Sequence, residues 1–328
     1  MSDLGHVLVL AGGMSAERAV SLRSGDRIRD ALCDAGVEAI IADADAALIP
    51  AITADPPAAV FPAIHGACGE DGSIREVLAL LDVPYVGSTA SASRSAFDKP
   101  TAKAVLGDAG VATPASVTLP RETFHDLGAG AVLERVVARL GLPLFVKPAR
   151  GGSALGAARV LTEAELPNAM MGCFGYGDTA LVEQYVSGTE IAVSVLDLGD
   201  GPQALPAVEI QPVGGGSYDY AARYTAGQTE FYTPARLTAD VAAQVADVAV
   251  TAHRELGLRD LSRTDLIVAG GEAFFLEVNV APGMTETSTL PMALAAAGLD
   301  LGVTCRELLL LAVARAGLPW HQAGPGRY

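Results

Sequence analysis

Apolar and polar positions alternate along the chain in two periods, and their order predicts a mixed α/β protein. His6 to Ala11 (HVLVLA) is a short apolar run that ends on Gly12 and Gly13, which reads as a buried strand turning into a helix. Ser15 or Ser21 could cap that helix, Ile28 and Leu32 continue it, and Gly36 ends it. EAIIA from Glu38 and AAVFPAI at Ala58 to Ile64 are further strands, so strand and helix alternate up to Val86, as in an open parallel sheet domain. Ser88 to Ser95 is small and polar and reads as a crossing between domains, followed by a helix from Thr101 to Asp108. Leu133, Val136, Val137 and Leu140 have helical spacing within Ala131 to Leu140. Ala180 to Val186 (ALVEQYV) is a strand, and IAVSVLDL and ALPAVEI form a meander. The helix Ala239 to Leu256 carries Val241, Val245, Val248 and Ala252 on one face. Two further helices close the pattern.

The stretch from Leu261 to Gly283 breaks the apolar pattern in an informative way. Two apolar segments flank Gly270-Gly271, a hairpin signal. Arg263 and Asp265 interrupt the first strand, and Glu277 and Asn279 the second. Residues two apart share a face of a strand. A three-residue loop of Gly270, Gly271 and Glu272 is expected, because it sets Asp265 opposite Glu277 and Arg263 opposite Asn279, whereas a two-residue loop slips the register by one. Two neighbouring carboxylates repel unless a cation lies between them, and hard oxygens suit Mg²⁺. The same spacing also fits an ordinary amphipathic hairpin with one wet face. Asn279 favours the metal reading, since Asn is depleted in strands.

Composition narrows the class. With 328 residues, half of them hydrophobic, the chain has ample core for two or three domains. A net charge of −16 disfavours non-specific nucleic-acid binding, so an anionic substrate must be met by local cations. Cys33, Cys68, Cys173 and Cys305 are far apart and form no CxxC, which points to neither a zinc site nor a disulfide framework. The first stretch reads as lacking a signal peptide, and the late apolar run Leu308 to Ala314 is too short to cross a bilayer. A cytoplasmic protein is expected, without nucleic acid or membrane as partner.

Other candidate chemistry sits at strand ends. Glu17 and His65 both follow a strand of the first domain, where open α/β sheets bind ligands; Glu17 could hold an ammonium group or merely offset a helix dipole. Lys147 precedes a flexible loop of Gly151, Gly152, Ser153 and Gly156, a device that covers phosphates. Glu183 within an apolar strand needs a polar partner, and Glu190 follows it; a nucleobase amine and ribose hydroxyls would serve. Gln211 to Pro234 reads as a long loop with four tyrosines, Tyr218, Tyr220, Tyr224 and Tyr232, and the cation Arg223, which suggests a lid or a packed Ω-loop.

GGMSAERAVSLRSG, HGACGEDG, DKPTAK, PLFVKPARGGSALG, LVEQYVSGTE, YDYAARY, RTD, FLEVNVAPGMT and TSTLPM occur in this order. Together they resemble the D-alanine–D-alanine ligases of the ATP-grasp superfamily, from about residue 6 to 315. The resemblance implies a three-domain ATP-grasp fold: an N-terminal α/β substrate domain over 1–97, a central subdomain over 98–185, and a C-terminal subdomain over 186–328 that carries the lid loop 211–234. It implies an ADP-forming ligase that activates one D-alanine as an acyl phosphate and joins it to a second for peptidoglycan precursor synthesis, with ATP and two Mg²⁺ (or Mn²⁺) bound, and a homodimer. A related ATP-grasp amino-acid ligase of specialised metabolism is the alternative.

Residue by residue, Lys99, Lys147, Ser153, Arg223, Glu183, Gln184, Tyr185, Val186 and Glu190 would contact ATP. Asp265, Glu277 and Asn279 would hold the metals. Glu17 would grip the first D-alanine's ammonium, linked through Ser153 and Tyr224 to the lid, with His65 nearby. Arg263 and the amide of Gly283 would stabilise the oxyanion, and Ser288 would bind the second D-alanine's carboxylate. Four places depart from the family pattern. Ala154 stands for a second serine, Arg223 for a lysine, Arg75-Glu76 for Gln-Gly, and Val280-Ala281 for Thr-x.

Overall fold

The computed structural model describes residues 4–215, 225 and 227–316. Three sheets organise it. The first is parallel, with β1 (Val7–Ala11) between β2 (Ala39–Asp43) and β3 (Val60–Pro62). The second is antiparallel, in the order β4 (Ser116–Pro120), β7 (Thr179–Gln184), β5 (Leu144–Pro148), β6 (Ala158–Val160). The third is antiparallel and larger. It runs β11 (Thr229–Tyr232), β10 (Val208–Pro212), β8 (Thr189–Leu196), β12 (Leu261–Ala269), β13 (Glu272–Asn279), with β9 (Gln203–Ala204) paired to β8.

Alternation along β1 explains how the parallel sheet is covered. Val7 and Val9 face one core, with Ile28 and Leu32 of the helix Arg18–Asp34. Leu10 faces the other, with Leu48, Ile52, Ile74 and Leu78 from two shorter helices. The first core is shared with the end of the chain: Leu294, Cys305, Leu308, Leu309 and Ala312 belong to it. Burying each such leucine contributes about 2 kcal/mol. Gly302 lets the two helices touch, since a Cβ there would lie 2.1 Å from the carbonyl oxygen of Ala31. The parallel sheet and the C-terminal helices are therefore one packed body.

The large sheet has one apolar face and one mixed face, on which Leu196, Val208 and Leu261 join the first core while Glu190, Arg263 and Asp265 stay polar. Ile191, Val193, Val195, Leu266, Ala273, Phe275 and Val278 pack against the helix Ala239–Glu255. The helices Ala90–Phe97 and Lys99–Asp108 join the same core through Ala92, Ala96, Ala102 and Leu106. The crossing expected at Ser88 to Ser95 is largely helical: Thr89 caps a helix by accepting from the amide of Ala92, and small alanines let that helix lie close to β13. Residues 99–108 pack on the large sheet and not on the four-stranded one, because their apolar stripe is directed at β13. The stretch 211–234 is also not wholly loop, since Thr229–Tyr232 pairs antiparallel with β10.

The hairpin β12–β13 corrects the loop length while keeping the pairing. Ala269 pairs Glu272, so the turn has two residues, and Gly270 and Gly271 have φ of 61° and 86°, as a type I′ turn requires. A bulge then shifts the register: Leu266 pairs Phe275, but Asp265 pairs Glu277. Leu276 is the extra residue, and it restores Asp265 opposite Glu277 and Arg263 opposite Asn279.

Candidate active site

Two connected cavities meet at that hairpin. A small chamber of about 90 Å³ is bordered by Glu17, His65, Glu70, Ser153, Arg263, Gly283 and Ser288, among others. A larger cleft of about 790 Å³ runs between the two antiparallel sheets, past Lys147, Tyr185, Glu190 and Ile191. Lys99, Gly151, Gly152, Asp265 and Glu277 border both.

In the chamber, Glu17 sits at the N-terminus of the helix Arg18–Asp34 and is buried. The hydroxyl of Ser153 donates to its carboxylate across 136 residues of sequence. Ser153 and Ala154 both have positive φ, 53° and 56°, a left-handed pair that aims the Ser153 side chain inward and is costly for residues with a Cβ. Ser21 does not cap the helix, whereas the hydroxyl of Ser15 accepts from the amide of Glu17 at 3.2 Å at the helix entrance. Ser15 donates to the carbonyl of His65, and Ser21 donates to that of Ala63 while accepting from the amide of Gly12, so both tie the strand ends together.

His65 is enclosed, and burial pushes its pKa down to about 4, so the ring is neutral. Nδ1 bonds the carbonyl of Ala281 at 3.0 Å and therefore carries the proton; Nε2 accepts from the hydroxyl of Ser24 at 2.9 Å. Ser24 in turn accepts from the amide of Met284, and Arg27 donates to the carbonyl of Met284. The turn after Asn279 is thus held by the first helix. Ser288 is the N-cap residue of the helix Thr289–Ala296, and its hydroxyl accepts from the amide of Thr285 at 3.0 Å. A Cβ on Gly283 would lie 2.6 Å from that hydroxyl, so only glycine fits beside it.

The sequence reading did not single out Glu70. It is fully buried, accepts from the amide of Gly66, and borders the chamber with Glu17. Burial, with the charge of Glu17 added, pushes its pKa up to about 8. Its signal was the acid of HGACGEDG, which sits one turn beyond His65.

In the cleft, Lys99 donates to the carbonyl of Gly151 at 2.6 Å and lies 3.3 Å from Glu277. Lys147 contacts Glu183 at 2.6 Å. Glu183 is buried and also meets Lys103 at 2.6 Å. Burial raises its pKa, but Lys147 and Lys103 more than offset that and leave it lowered. Glu183 therefore sits behind Lys147 and does not border the cleft. Of residues 183–186 only Tyr185 does; Gln184 donates its side-chain amide to the carbonyl of Leu140. Lys103 was also missed, though it lies four residues after Lys99 on one helix, where both side chains share a face.

At the shared wall Arg263 holds Asp265 through two 2.7 Å bonds, and Asn279 accepts from the amide of Ala281 at 2.7 Å. Among the described residues no three His, Cys, Asp or Glu side chains form a metal-holding group on their own. Asp265, Glu277 and the amide oxygen of Asn279 are nonetheless hard donors on one face of paired strands, and both acids already stand against cations. That donor set suits Mg²⁺ completed by phosphate oxygens and water. Arg223 and Tyr224 lie outside the described residues.

The departures Arg75 and Glu76 have different fates. Arg75 is buried and bonds backbone carbonyls, whereas Glu76 pairs with Arg94 on the surface.

Two antiparallel sheets closing on a lysine-lined cleft, with paired carboxylates at its inner wall, make this an ATP-grasp fold. The family model described as "D-ala D-ala ligase C-terminus" matches residues 105–309. The chain is 39% identical over 321 residues to a D-alanine–D-alanine ligase of Bordetella avium (strain 197N), covering 98% of each. It is 40% identical over 305 residues to one of Anaeromyxobacter dehalogenans (strain 2CP-1), covering 93% of this chain and 96% of that one. Among solved structures, a D-alanine–D-alanine ligase from Bacillus anthracis superposes with a TM-score of 0.80 at 27% identity, covering 95% and 98%. A D-Ala:D-Ser ligase from Enterococcus faecalis superposes with 0.79 at 28%, covering 94% and 99%. The chain belongs to the D-alanine–D-alanine ligase family.

Proposed function

We propose that this chain joins two D-alanines into D-alanyl-D-alanine, consuming ATP and forming an acyl phosphate, to supply peptidoglycan precursor. The observation that carries the reading is the wall shared by the two cavities. Lys99, Asp265 and Glu277 border both, so a phosphoryl group leaving a nucleotide in the cleft meets a carboxylate held in the chamber. A D-alanine–D-alanine ligase from Bacillus anthracis complexed with ATP has the same fold, with a TM-score of 0.77 at 25% identity, and supports a nucleotide in the cleft.

In this reading Glu17 and Glu70 receive the first D-alanine's ammonium, and Ser153 orients Glu17. Lys99 and Lys147 screen the transferred phosphoryl group, and Glu183 with Lys103 fixes Lys147 in place. Tyr185 and Glu190 flank the adenosine. Mg²⁺, held by Asp265, Glu277 and Asn279, would neutralise charge on the phosphates. The second D-alanine docks its carboxylate at Ser288, at a helix N-terminus that favours anions. Its neutral amine attacks the acyl carbon, phosphate leaves, and Arg263 with the amide of Gly283 meets the oxyanion, a contribution of about 3 kcal/mol per donor. Arg223 and Tyr224 belong to the proposed lid over 211–234, whose closure would keep water from the acyl phosphate.

We further read the chain as a cytoplasmic homodimer organised in units near 1–97, 98–185 and 186–328, with the helices over 90–108 packed on the sheet of the third unit and the C-terminal helices packed on the first; among the described residues no helix is long and apolar enough to cross a membrane. The relatives near 40% identity favour the dipeptide ligase over a ligase of specialised metabolism. Phosphate release with MgATP and D-alanine, with product mass measured against D-serine, D-lactate and other amino acids, tests it. D-alanyl-D-alanine as the main product is expected; release only with another pair of substrates would overturn the assignment.

A further inference from the structure

Arg75 lies in the first turn of the helix Ser73–Leu80 and is only 1% exposed, the largest fully buried side chain among the described residues. Its two terminal nitrogens reach two different segments. One donates to the carbonyl of Gly69, in the turn that carries Glu70; the other donates to the carbonyl of Val280 at 3.2 Å, between Asn279 and Ala281. The bonded turns are the two that bring the acid of the chamber and the Asn279–Gly283 segment together. They are 205 residues apart in sequence between Arg75 and Val280, and the sheets they leave are different.

Among the described residues no carboxylate lies within ion-pair distance of Arg75, and its Nε has no partner. A buried charge without a counter-ion costs several kcal/mol, which an apolar side chain of the same size would avoid. Burial lowers its pKa to about 10, so the group is still charged at neutral pH. Packing alone does not explain a guanidinium here. Its planar fork does, because it can bond two carbonyls at a fixed separation. The neighbouring bonds have the same sense. His65 holds the carbonyl of Ala281, and Ser24 and Arg27 hold Met284, so the N-terminal domain grips the segment 280–284 from several points. Two of the four places where the sequence departs from the family pattern, Arg75 and Val280, are in contact.

We infer that Arg75 is a positioning residue for ligation: its guanidinium spans Gly69 and Val280 and sets the Gly283 amide and Asn279 against the chamber that holds Glu17 and Glu70. The inference rests on the proposed dipeptide ligation. Arg75 borders neither the chamber nor the cleft, so its effect is expected on the turnover of a complex that still forms.

The test compares Arg75→Met and Arg75→Lys with the unsubstituted enzyme, each assayed well below its own melting midpoint. Arg75→Met is expected to lower kcat at least about tenfold while the KM for ATP moves less than about twofold. Arg75→Lys, which keeps the charge but bonds one carbonyl at a time, is expected to recover part of kcat. A merely structural role would instead lower the melting midpoint and leave kcat of the folded fraction unchanged. Variants that retain kcat within about twofold, or whose KM for ATP rises as kcat falls, would overturn the inference. If Arg75→Met does not fold, Arg75→Lys decides by the same split. Failure of the unsubstituted enzyme to make dipeptide would sink the ligation reading itself, a result distinct from active variants.

Discussion

Lys147 and Glu183 form a contact of 2.6 Å behind the cleft between the two antiparallel sheets, and Lys103 occupies the other oxygen of the same carboxylate. One buried acid therefore serves two ammonium groups. Its replacement leaves both without a counter-ion, although Lys103 keeps its bond to the carbonyl of Pro114, and breaking a buried pair in this way costs about 3–5 kcal/mol. Glu183→Gln should lower the melting midpoint and raise the KM for ATP, because Lys147 is no longer held toward the cleft. Adding Lys103→Met to Glu183→Gln should recover stability, since it removes one orphan charge. Thermal melts and ATP titrations of the two variants check this, and a double variant no more stable than the single one would refute the shared-partner arrangement.

Glu70 predicts a proton released on substrate binding. Burial and the charge of Glu17 hold its pKa up near 8, so near neutral pH it is largely protonated in the free protein. The sign follows: a carboxyl raised from about 4.5 favours the folded state most at low pH, and that contribution is lost as pH rises through about 8. An ammonium placed beside both acids favours the charged form and draws the pKa down. Calorimetry of D-alanine binding near pH 7 in buffers of different ionisation enthalpy should show release approaching one proton, and Glu70→Gln should abolish it. Buffer-independent heats in the unsubstituted protein would remove Glu70 from the ammonium site.

How much of this was legible in the sequence differs by feature. The apolar run HVLVLA and the helical spacing at Leu133, Val136 and Leu140 gave elements that the structure bears out, because run length and local period determine them. The facing of Asp265 and Glu277 was also legible, but its cause was not. Ala273 to Leu276 is four apolar residues in a row, which any register could bury, so nothing local marks Leu276 as the bulge. Glu70, Lys103 and Arg75 were hidden for a different reason. Each draws its role from a partner far along the chain, Glu17, Glu183 or Val280, and long-range partners leave no period.

Gly66 offers a local test of the chamber. Its φ of 80° and ψ of −167° lie where residues with a Cβ are strained, and a Cβ there would come 2.3 Å from an oxygen of Glu17. Gly66→Ala should therefore push the Glu17 carboxylate away from Ser153. The expected result is a rise of about tenfold or more in the KM for D-alanine with little change in the KM for ATP, since the clash lies outside the cleft. Equal changes in both constants would mean that the substitution disturbs the fold and not the chamber.

His65 sets a pH limit on the turn that closes the chamber. Its ring is neutral in the folded state, donating from Nδ1 to Ala281 and accepting at Nε2 from Ser24, and its pKa is lowered from 6.5 to about 4. A lowered histidine pKa means that the unfolded chain binds the proton first, so stability is full above 6.5 and falls as pH drops toward 4. The whole window corresponds to about 3 kcal/mol from this one group. His253 is lowered to about 4 by burial as well, so the total slope has two sources. Urea midpoints at several pH values for the unsubstituted protein and for His65→Gln separate them, because a glutamine can donate and accept but does not titrate. The difference between the two should be constant above about pH 6.5 and shrink below it as the native histidine becomes a liability. Parallel curves down to pH 4.5 would show that His65 does not carry the charge-sensitive contact.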